Sequence, residues 1–442
     1  MVKVLSLENS QRFSFSVGLT FAARVLMAAN SVLAGILVAR LLGAESLGAL
    51  LVLNVTVAAV IQFSGFSLFA ANTYFTAEDH GLLVPAAVNG VFFAILSGIV
   101  CSLILWLCSP YFLPGVPSGL VIIGLLGVPF QLITIILTNL FLARGEVKKF
   151  NFLDLLNQSF VLINAIAVLL FWGGGLWMLV SFNAATSAVV MLLTVILFIR
   201  YIHKQSPETT WSGDLGLLRR MVKYAFKGHI LWISMILVYR LDLLVVNYFR
   251  GAAEASVYAV ATQCTLFLLL LPNAVSHILQ MRVATTQDEG GTFTSLVARH
   301  TSLILGAACL VSVPGSLLLT KVYGPAFADL SVQIWLLLPG VFFVGVQVVL
   351  AQYFVGTGLP ILLPISWVAT LMLNASLNIA IVPVYGARGA AVVSTICYTL
   401  VFVIVFAFFK WRTGHGLREV LLPRSDEFRR MRAMLNPKAA TH

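Results

Sequence analysis

Apolar residues run through this chain in long blocks rather than in short alternations. The blocks fall at about 13–41, 46–74, 82–108, 119–143, 150–172 and 176–201, then at about 217–249, 255–282, 293–319, 327–356, 361–384 and 388–411. A helix rises about 1.5 Å per residue, so about 20 apolar residues cross the hydrocarbon of a bilayer, and every block has that length. Gly and Pro punctuate the breaks: Pro114-Gly115 and Pro117, Gly173-Gly174-Gly175, Gly290-Gly291, Gly324-Pro325, Gly358 with Pro360. The pattern predicts an all-α polytopic membrane protein of twelve transmembrane helices.

The first block, FSFSVGLTFAARVLMAANSVLAGILVARLLG (13–43), carries one charge in its middle, Arg24. On a helix Ser16, Thr20, Arg24, Ala28, Ser31 and Gly35 share one stripe, while Phe21, Val25, Leu26, Leu33, Ile36 and Leu37 cover the other faces. An arginine turned to lipid at that depth costs about 3 kcal/mol or more, so the stripe is expected to face a wet cavity inside a helical bundle. The block is too long for a signal peptide and lacks a small-residue cleavage site, so it is expected to remain as the first span.

The two groups of six blocks resemble each other. NAIAVLLFWGGGLWMLVS (164–181) aligns without gaps to NIAIVPVYGARGAAVVST (378–395), FLARG (141–145) to FVGTG (354–358), and ARLLGAESLGALLV (39–52) to NYFRGAAEASVYAV (247–260) with one inserted residue. Three matches in one order, each about 210 residues apart, predict a six-plus-six duplication. The expected organisation is an N-terminal six-helix lobe at 1–202, a cytoplasmic linker at 203–216, a C-terminal six-helix lobe at 217–411 and a basic cytoplasmic tail at 412–442. In that tail Ser425 is a candidate N-cap of a short interfacial helix carrying Phe428, Met431 and Leu435 on one face.

Composition agrees with the pattern. Charged residues make up 10% of the chain and hydrophobic ones 60%, with mean hydropathy +1.00; soluble domains carry about 25% charged residues. The net charge of +11 does not point to nucleic acid, because of where the charges lie. With twelve spans, 21 of the 27 lysines and arginines fall on the side of both termini, Arg40, Arg250, Lys321 and Arg388 on the other, and Arg24 and Arg240 within spans. The positive-inside rule then places both termini in the cytoplasm. The five cysteines, Cys101, Cys108, Cys264, Cys309 and Cys397, all lie in apolar runs with no metal-ligand spacing and read as small buried residues. No Walker-type phosphate loop, nucleophile–base pair or metal cluster is present in the sequence pattern, so an ATP-driven pump or a membrane enzyme is disfavoured and no cofactor is implied.

Three stretches carry a family resemblance. ARLLGAESLGALLVLN after the first helix, YRLDLLVVNYFRGAAEASVYAVA (239–261) along the seventh, and NASLNIAIVPVYGARGAAVVSTICY (374–398) at the eleventh-to-twelfth junction resemble the oligosaccharide flippases of the multidrug/oligosaccharidyl-lipid/polysaccharide (MOP) exporter superfamily. Twelve spans resemble the Wzx-like polysaccharide-unit flippases. Ser256-Val257-Tyr258 departs from the Gly-aromatic or Gly-Leu-Tyr pattern usual there. The resemblance implies two six-helix lobes related by a pseudo-twofold axis around a central cavity, alternating access in a bacterial inner membrane, and a polyprenyl-pyrophosphate-linked oligosaccharide as substrate. Membrane lipids, a polysaccharide polymerase and other biosynthesis proteins are the implied partners.

Against such a substrate, Arg24 and Arg240 are candidates to hold the pyrophosphate, because guanidinium is a planar, permanently charged fork that matches phosphate oxygens. The alternative for each is a structural bond to backbone carbonyls or to a neighbouring Asp. Asp242, two residues from Arg240 and on the opposite side of its helix, is a coupling or gating candidate, or a partner in a salt bridge to another helix. His229 and His277 are further coupling candidates with the alternative of hydrogen bonding within the bundle. Ser31, Asn157, Asn164, Asn273 and Gln280 are polar cavity-lining candidates, suited to sugar hydroxyls and equally to holding helices together. Asp154 and Gln158 also interrupt the fifth apolar block. Counting Arg24 and Arg240 against Asp242 gives a net positive mid-depth, which disfavours the alternative reading, a cation-coupled exporter of drugs or metabolites.

Overall fold

A computed structural model describes residues 2–205, 211–286, 288–356 and 360–422, with side chains from Thr20 onward except for some at 77–80, 227 and 277–289. The candidate tail helix around Ser425 lies outside the described residues, as do the side chains of His277 and Gln280. Among the described residues the chain is helical, without strands: α1 (Val2–Gly65), α2 (Leu68–Glu78), α3 (Leu83–Phe112), α4 (Ser118–Leu126), α5 (Val128–Ala143), α6 (Val147–Ile166), α7 (Leu176–Gln205), α8 (Leu215–Arg250), α9 (Ala252–Leu266), α10 (Leu270–Thr286), α11 (Thr292–Tyr323), α12 (Leu330–Gly356), α13 (Leu362–Thr413) and α14 (Leu417–Leu421).

Among the described residues, ten stretches are long and apolar enough to cross a membrane. Two of them are double. α1 is broken at Gly43 (φ 86°, ψ 171°) and α13 at Gly386 (φ 59°, ψ −147°), backbone conformations that an L side chain resists. Counting each double stretch as two crossings gives the twelve expected, and the protein is a multi-pass membrane protein. α1 begins at Val2, ahead of the predicted start at residue 13, because the polar lead-in VKVLSLENSQR contains no Gly or Pro to end a helix.

The sequence repeat has a backbone counterpart. Gly43 and Gly251 adopt nearly the same conformation (φ 86°, ψ 171° and φ 86°, ψ 172°), each between two spans of its half. Gly115 and Gly324, then Gly173 and Gly386, repeat the positive φ at the next two equivalent breaks.

The described chain forms two compact units. One comprises Met1–Val260 with Lys321–Ala328 and Asn378–Ala390, the other Ala261–Thr320, Asp329–Leu377 and Ala391–His442. In the first, α5 is the central helix, and α2, α3, α6 and α7 pack on it. Its sequence is apolar nearly all round, the mark of a buried helix, and Leu132, Ile133, Ile136, Leu137, Leu140 and Phe141 are buried. Lipid tails are as apolar as leucine, so close packing rather than water exclusion holds such helices, and small residues permit the approach. Gly90 and Gly98 of α3 do so here: a Cβ on them would lie 2.8 Å from Ile136 and 2.9 Å from Leu132. In the second unit α12 packs on α10, with Gly345 against Leu305, where a Cβ would come within 2.4 Å.

Side chains also fix the ends of spans in the first unit. Arg40 donates to the carbonyls of Val322 (2.7 Å) and Lys321 (2.6 Å). Glu254 accepts the Ala387 N–H (2.7 Å), the first donor after the Gly386 break, and pairs with Arg250 at 3.0 Å. The Asp214 carboxylate caps α8 through the N–H groups of Gly216 and Leu217, while Asn89 of α3 clamps the Asp214 backbone from both its N–H and its C=O. Trp106, Trp172, Trp177 and Trp411, near span ends, are exposed as an interfacial belt requires. All five cysteines are free.

Candidate functional site

The polar stripe of the first span meets a polar stripe of the fifth. In α6 the sequence NFLDLLNQS puts Asn151, Asp154 and Gln158 at i, i+3 and i+7, one face of a helix. In α1 the facing set is Thr20, Arg24 and Ser31. The two helices run parallel here and the pairs form in order. Asn151 donates to Thr20 Oγ1 at 2.9 Å, Arg24 Nη1 meets Asp154 Oδ2 at 2.9 Å, Gln158 donates to Ser31 Oγ at 2.5 Å, and Asn30 donates to Ser159 Oγ at 3.2 Å. From Thr20 to Ser31 the seam extends about 16 Å along the helix, about half the hydrocarbon thickness.

Within the seam Thr20, Arg24, Ser31, Asp154, Gln158 and Ser159 are part-exposed. The Arg24 and Asp154 side chains are 42% and 31% exposed, whereas Asn30 and Asn151 are buried. The ion pair brings Arg24 Nη1 to Asp154 Oδ2, and a guanidinium has five N–H donors. The other face of α1 carries exposed Phe21, Val25, Leu26 and Leu33, as the apolar pattern predicts.

The remaining sequence candidates are placed as follows. Asn164 donates to Asn183 Oδ1 (2.8 Å) and Thr186 Oγ1 (3.0 Å) of α7, just before a π-helical turn at Ala167–Phe171 ends the span. Asn157 is half-buried and makes none of the described hydrogen bonds. Asp242 is fully buried in α8; one carboxylate oxygen accepts the Leu243 N–H (2.8 Å) and the other accepts the Tyr258 hydroxyl. Arg240 is half-buried, and among the described contacts it has no ion pair. Asn273 is exposed.

His229 of α8 lies at a break in the second span. Phe66 and Ser67, between α1 and α2, both have left-handed backbones (φ 47° and 51°), a conformation costing about 1–2 kcal/mol per non-glycine residue. His229 Nδ1 is hydrogen-bonded to Ser67 Oγ at 3.2 Å and its ring lies 4.5 Å from that of Phe66. The contact continues as an aromatic ladder: Trp232 donates to Gln62 (3.1 Å) and meets Phe69, and Tyr224 stacks on Tyr74 at 4.6 Å.

Sequence reading marked Asp154 only as an interruption of an apolar run and missed that it is the partner of Arg24. The available signal was only that each set, Thr20, Arg24 and Ser31 on α1 and Asn151, Asp154 and Gln158 on α6, falls on one face of its own helix. The pairing changes the charge count. With Asp154 beside Arg24, two cations face two carboxylates within the spans, so net mid-depth charge no longer argues against cationic cargo.

Comparison with known proteins follows the same direction. Residues 37–330 match the family described as polysaccharide biosynthesis protein. A search of the curated proteins finds no significant match. Among solved structures, the chain is similar to the lipid II flippase MurJ in an inward closed conformation (TM-score 0.74, 12% identity, 92% of this chain and 89% of that one). It is also similar to an inward-facing multidrug resistance MATE family transporter of the MOP superfamily (TM-score 0.67, 14% identity, 88% and 94%), and to the eukaryotic MATE transporter AtDTX14 (TM-score 0.64, 17% identity, 94% and 99%). At these identities the likeness speaks for the fold alone, an all-α polytopic membrane arrangement like that of these proteins.

Proposed function

Because this chain belongs to the polysaccharide biosynthesis protein family, we propose that it flips a polyprenyl-pyrophosphate-linked oligosaccharide repeat unit across the bacterial inner membrane by alternating access, for O-antigen, capsule or exopolysaccharide assembly. The observation that carries this reading is the seam of α1 and α6, a guanidinium flanked by hydroxyls and carboxamides at mid-span. Those groups suit a headgroup of phosphates followed by sugars. Arg240, lacking a described ion pair, is the second phosphate candidate. The proposal includes lobes at 1–202 and 217–411 joined by the linker at 203–216, both termini in the cytoplasm, and delivery of the flipped unit to a polysaccharide polymerase.

The even charge count keeps a second reading, a cation-coupled exporter, in which the buried Asp242 is the coupling residue. Deleting the gene separates the two. Polyprenyl-pyrophosphate oligosaccharides are quantified by mass spectrometry, with an external glycan-modifying enzyme reporting the side on which they lie. Accumulation of one completed, externally inaccessible unit is the expected result. An unchanged profile, in cells that assemble such a unit and have no second flippase, refutes the flippase and selects the exporter.

A further inference from the structure

We propose that Asp154 is a displaceable counter-ion that sets which anions Arg24 accepts. This rests on the reading of the seam as the headgroup site. The ion pair is held on both sides along the helices by neutral hydrogen bonds, Asn151 to Thr20 and Gln158 to Ser31. Those bonds keep α1 and α6 in register whether or not Arg24 and Asp154 touch, so the charged pair can open without parting the helices. Both of its side chains are part-exposed, at 42% and 31%, and a guanidinium can make two parallel contacts to a phosphate.

A headgroup entering the seam therefore competes with a carboxylate already in place. A carboxylate matches a monoanion in charge and geometry, so a weak anion or a neutral glycan gains little by replacing it. A diphosphate brings more negative charge and a bidentate fit, and it takes Arg24 while Asp154 turns to water. Asp154 is thus a specificity-determining residue: it lowers affinity for every anion and lets only strongly charged headgroups through.

The test uses the purified full-length protein in phosphatidylcholine nanodiscs. Geranylgeranyl diphosphate is the probe and geranylgeraniol, the same chain without charge, is the reference. Wild type is expected to prefer the diphosphate, Arg24→Gln to lose the preference, and Asp154→Asn to bind the diphosphate about fivefold tighter, the equivalent of one exposed ion pair of about 1 kcal/mol. Asp154→Glu keeps the charge and is expected to bind within twofold of wild type, and melting temperatures confirm that each variant is folded. If Arg24→Gln loses the preference but Asp154→Asn binds no tighter, the counter-ion role is overturned and the headgroup reading stands. If wild type does not distinguish the diphosphate from the alcohol, or Arg24→Gln distinguishes them as well as wild type, the reading of the seam falls and the proposal falls with it.

Discussion

Among the described glycines, Gly48 is the one where the packing leaves least room. It follows the Gly43 break in the first half of the repeat, and Ala252 follows the equivalent Gly251 break in the second. A Cβ built on Gly48 would stand 1.8 Å from the Ala252 carbonyl oxygen and 2.5 Å from its carbonyl carbon. The hydrogen that takes its place points at that oxygen, a weak Cα–H···O contact of about 0.5–1 kcal/mol. Ordinary contact begins at 3.4 Å, so an alanine requires the two backbones to separate by about 1.5 Å, and no side chain can rotate to absorb the change because the opposing atoms are main chain. Overpacking of this kind typically costs about 1–3 kcal/mol, and losing the Cα–H···O contact brings the expected penalty of Gly48→Ala to about 2–4 kcal/mol. Thermal unfolding in detergent, followed by the monodisperse fraction on size exclusion, reads it. Gly315→Ala is the control, since a Cβ there meets nothing within 4 Å; in a helix interior it is expected to be neutral or stabilising by about 1 kcal/mol. A Gly48→Ala protein that melts together with the Gly315→Ala control refutes the close approach of the two turns.

Two further substitutions examine single contacts. Glu254→Ala removes the acceptor for the Ala387 N–H and is expected to lose about 1–2 kcal/mol by the same melting assay, whereas Glu254→Gln retains an acceptor oxygen and loses less; equal losses would show that the ion pair to Arg250, not the cap, matters. Ser67→Val places a β-branched side chain in the left-handed backbone and deletes the bond to His229, so it is expected to cost about 2–3 kcal/mol, while Ser67→Asn, which tolerates that backbone, is expected to melt near wild type; a Val variant as stable as the Asn variant would contradict the left-handed assignment.

The twelve crossings were legible because each one needs about 20 apolar residues and leaves no other reading for such a run. The expected duplication rests on glycines at turns, and Gly43 and Gly251 share one backbone conformation, a requirement that the sequence records directly. The stripe through Thr20, Arg24 and Ser31 was legible from helical spacing alone. Its partner was not. Asn151, Asp154 and Gln158 announce a polar face on α6, but which helix that face meets depends on how the bundle packs, and local spacing carries no such information. The break at Phe66-Ser67 was hidden for a different reason. Gly65 is the residue that draws the eye, yet Phe66 and Ser67 are the ones that leave the helix, with His229, 162 residues away, bonded to the second of them.

What the seam is for can be argued from its cost. Parallel spans are held well enough by neutral groups: a carboxamide or hydroxyl bonded across two helices contributes about 0.6–2 kcal/mol, and Asn151 with Thr20, Gln158 with Ser31 and Asn30 with Ser159 supply three such bonds between α1 and α6. A further amide pair at positions 24 and 154 would extend the same adhesion. The chain instead places a guanidinium and a carboxylate there, and at the centre of a span each carries an insertion penalty of about 2.5–3.5 kcal/mol by translocon scales. Their mutual attraction is weakened because both side chains are part-exposed, and pairs so exposed contribute about 1 kcal/mol or less. Adhesion therefore does not account for the charges. Under the headgroup reading we propose, an accessible cation held at mid-depth by a partner it can release does, since the same exposure that makes the pair a poor structural bond leaves it open to an incoming anion.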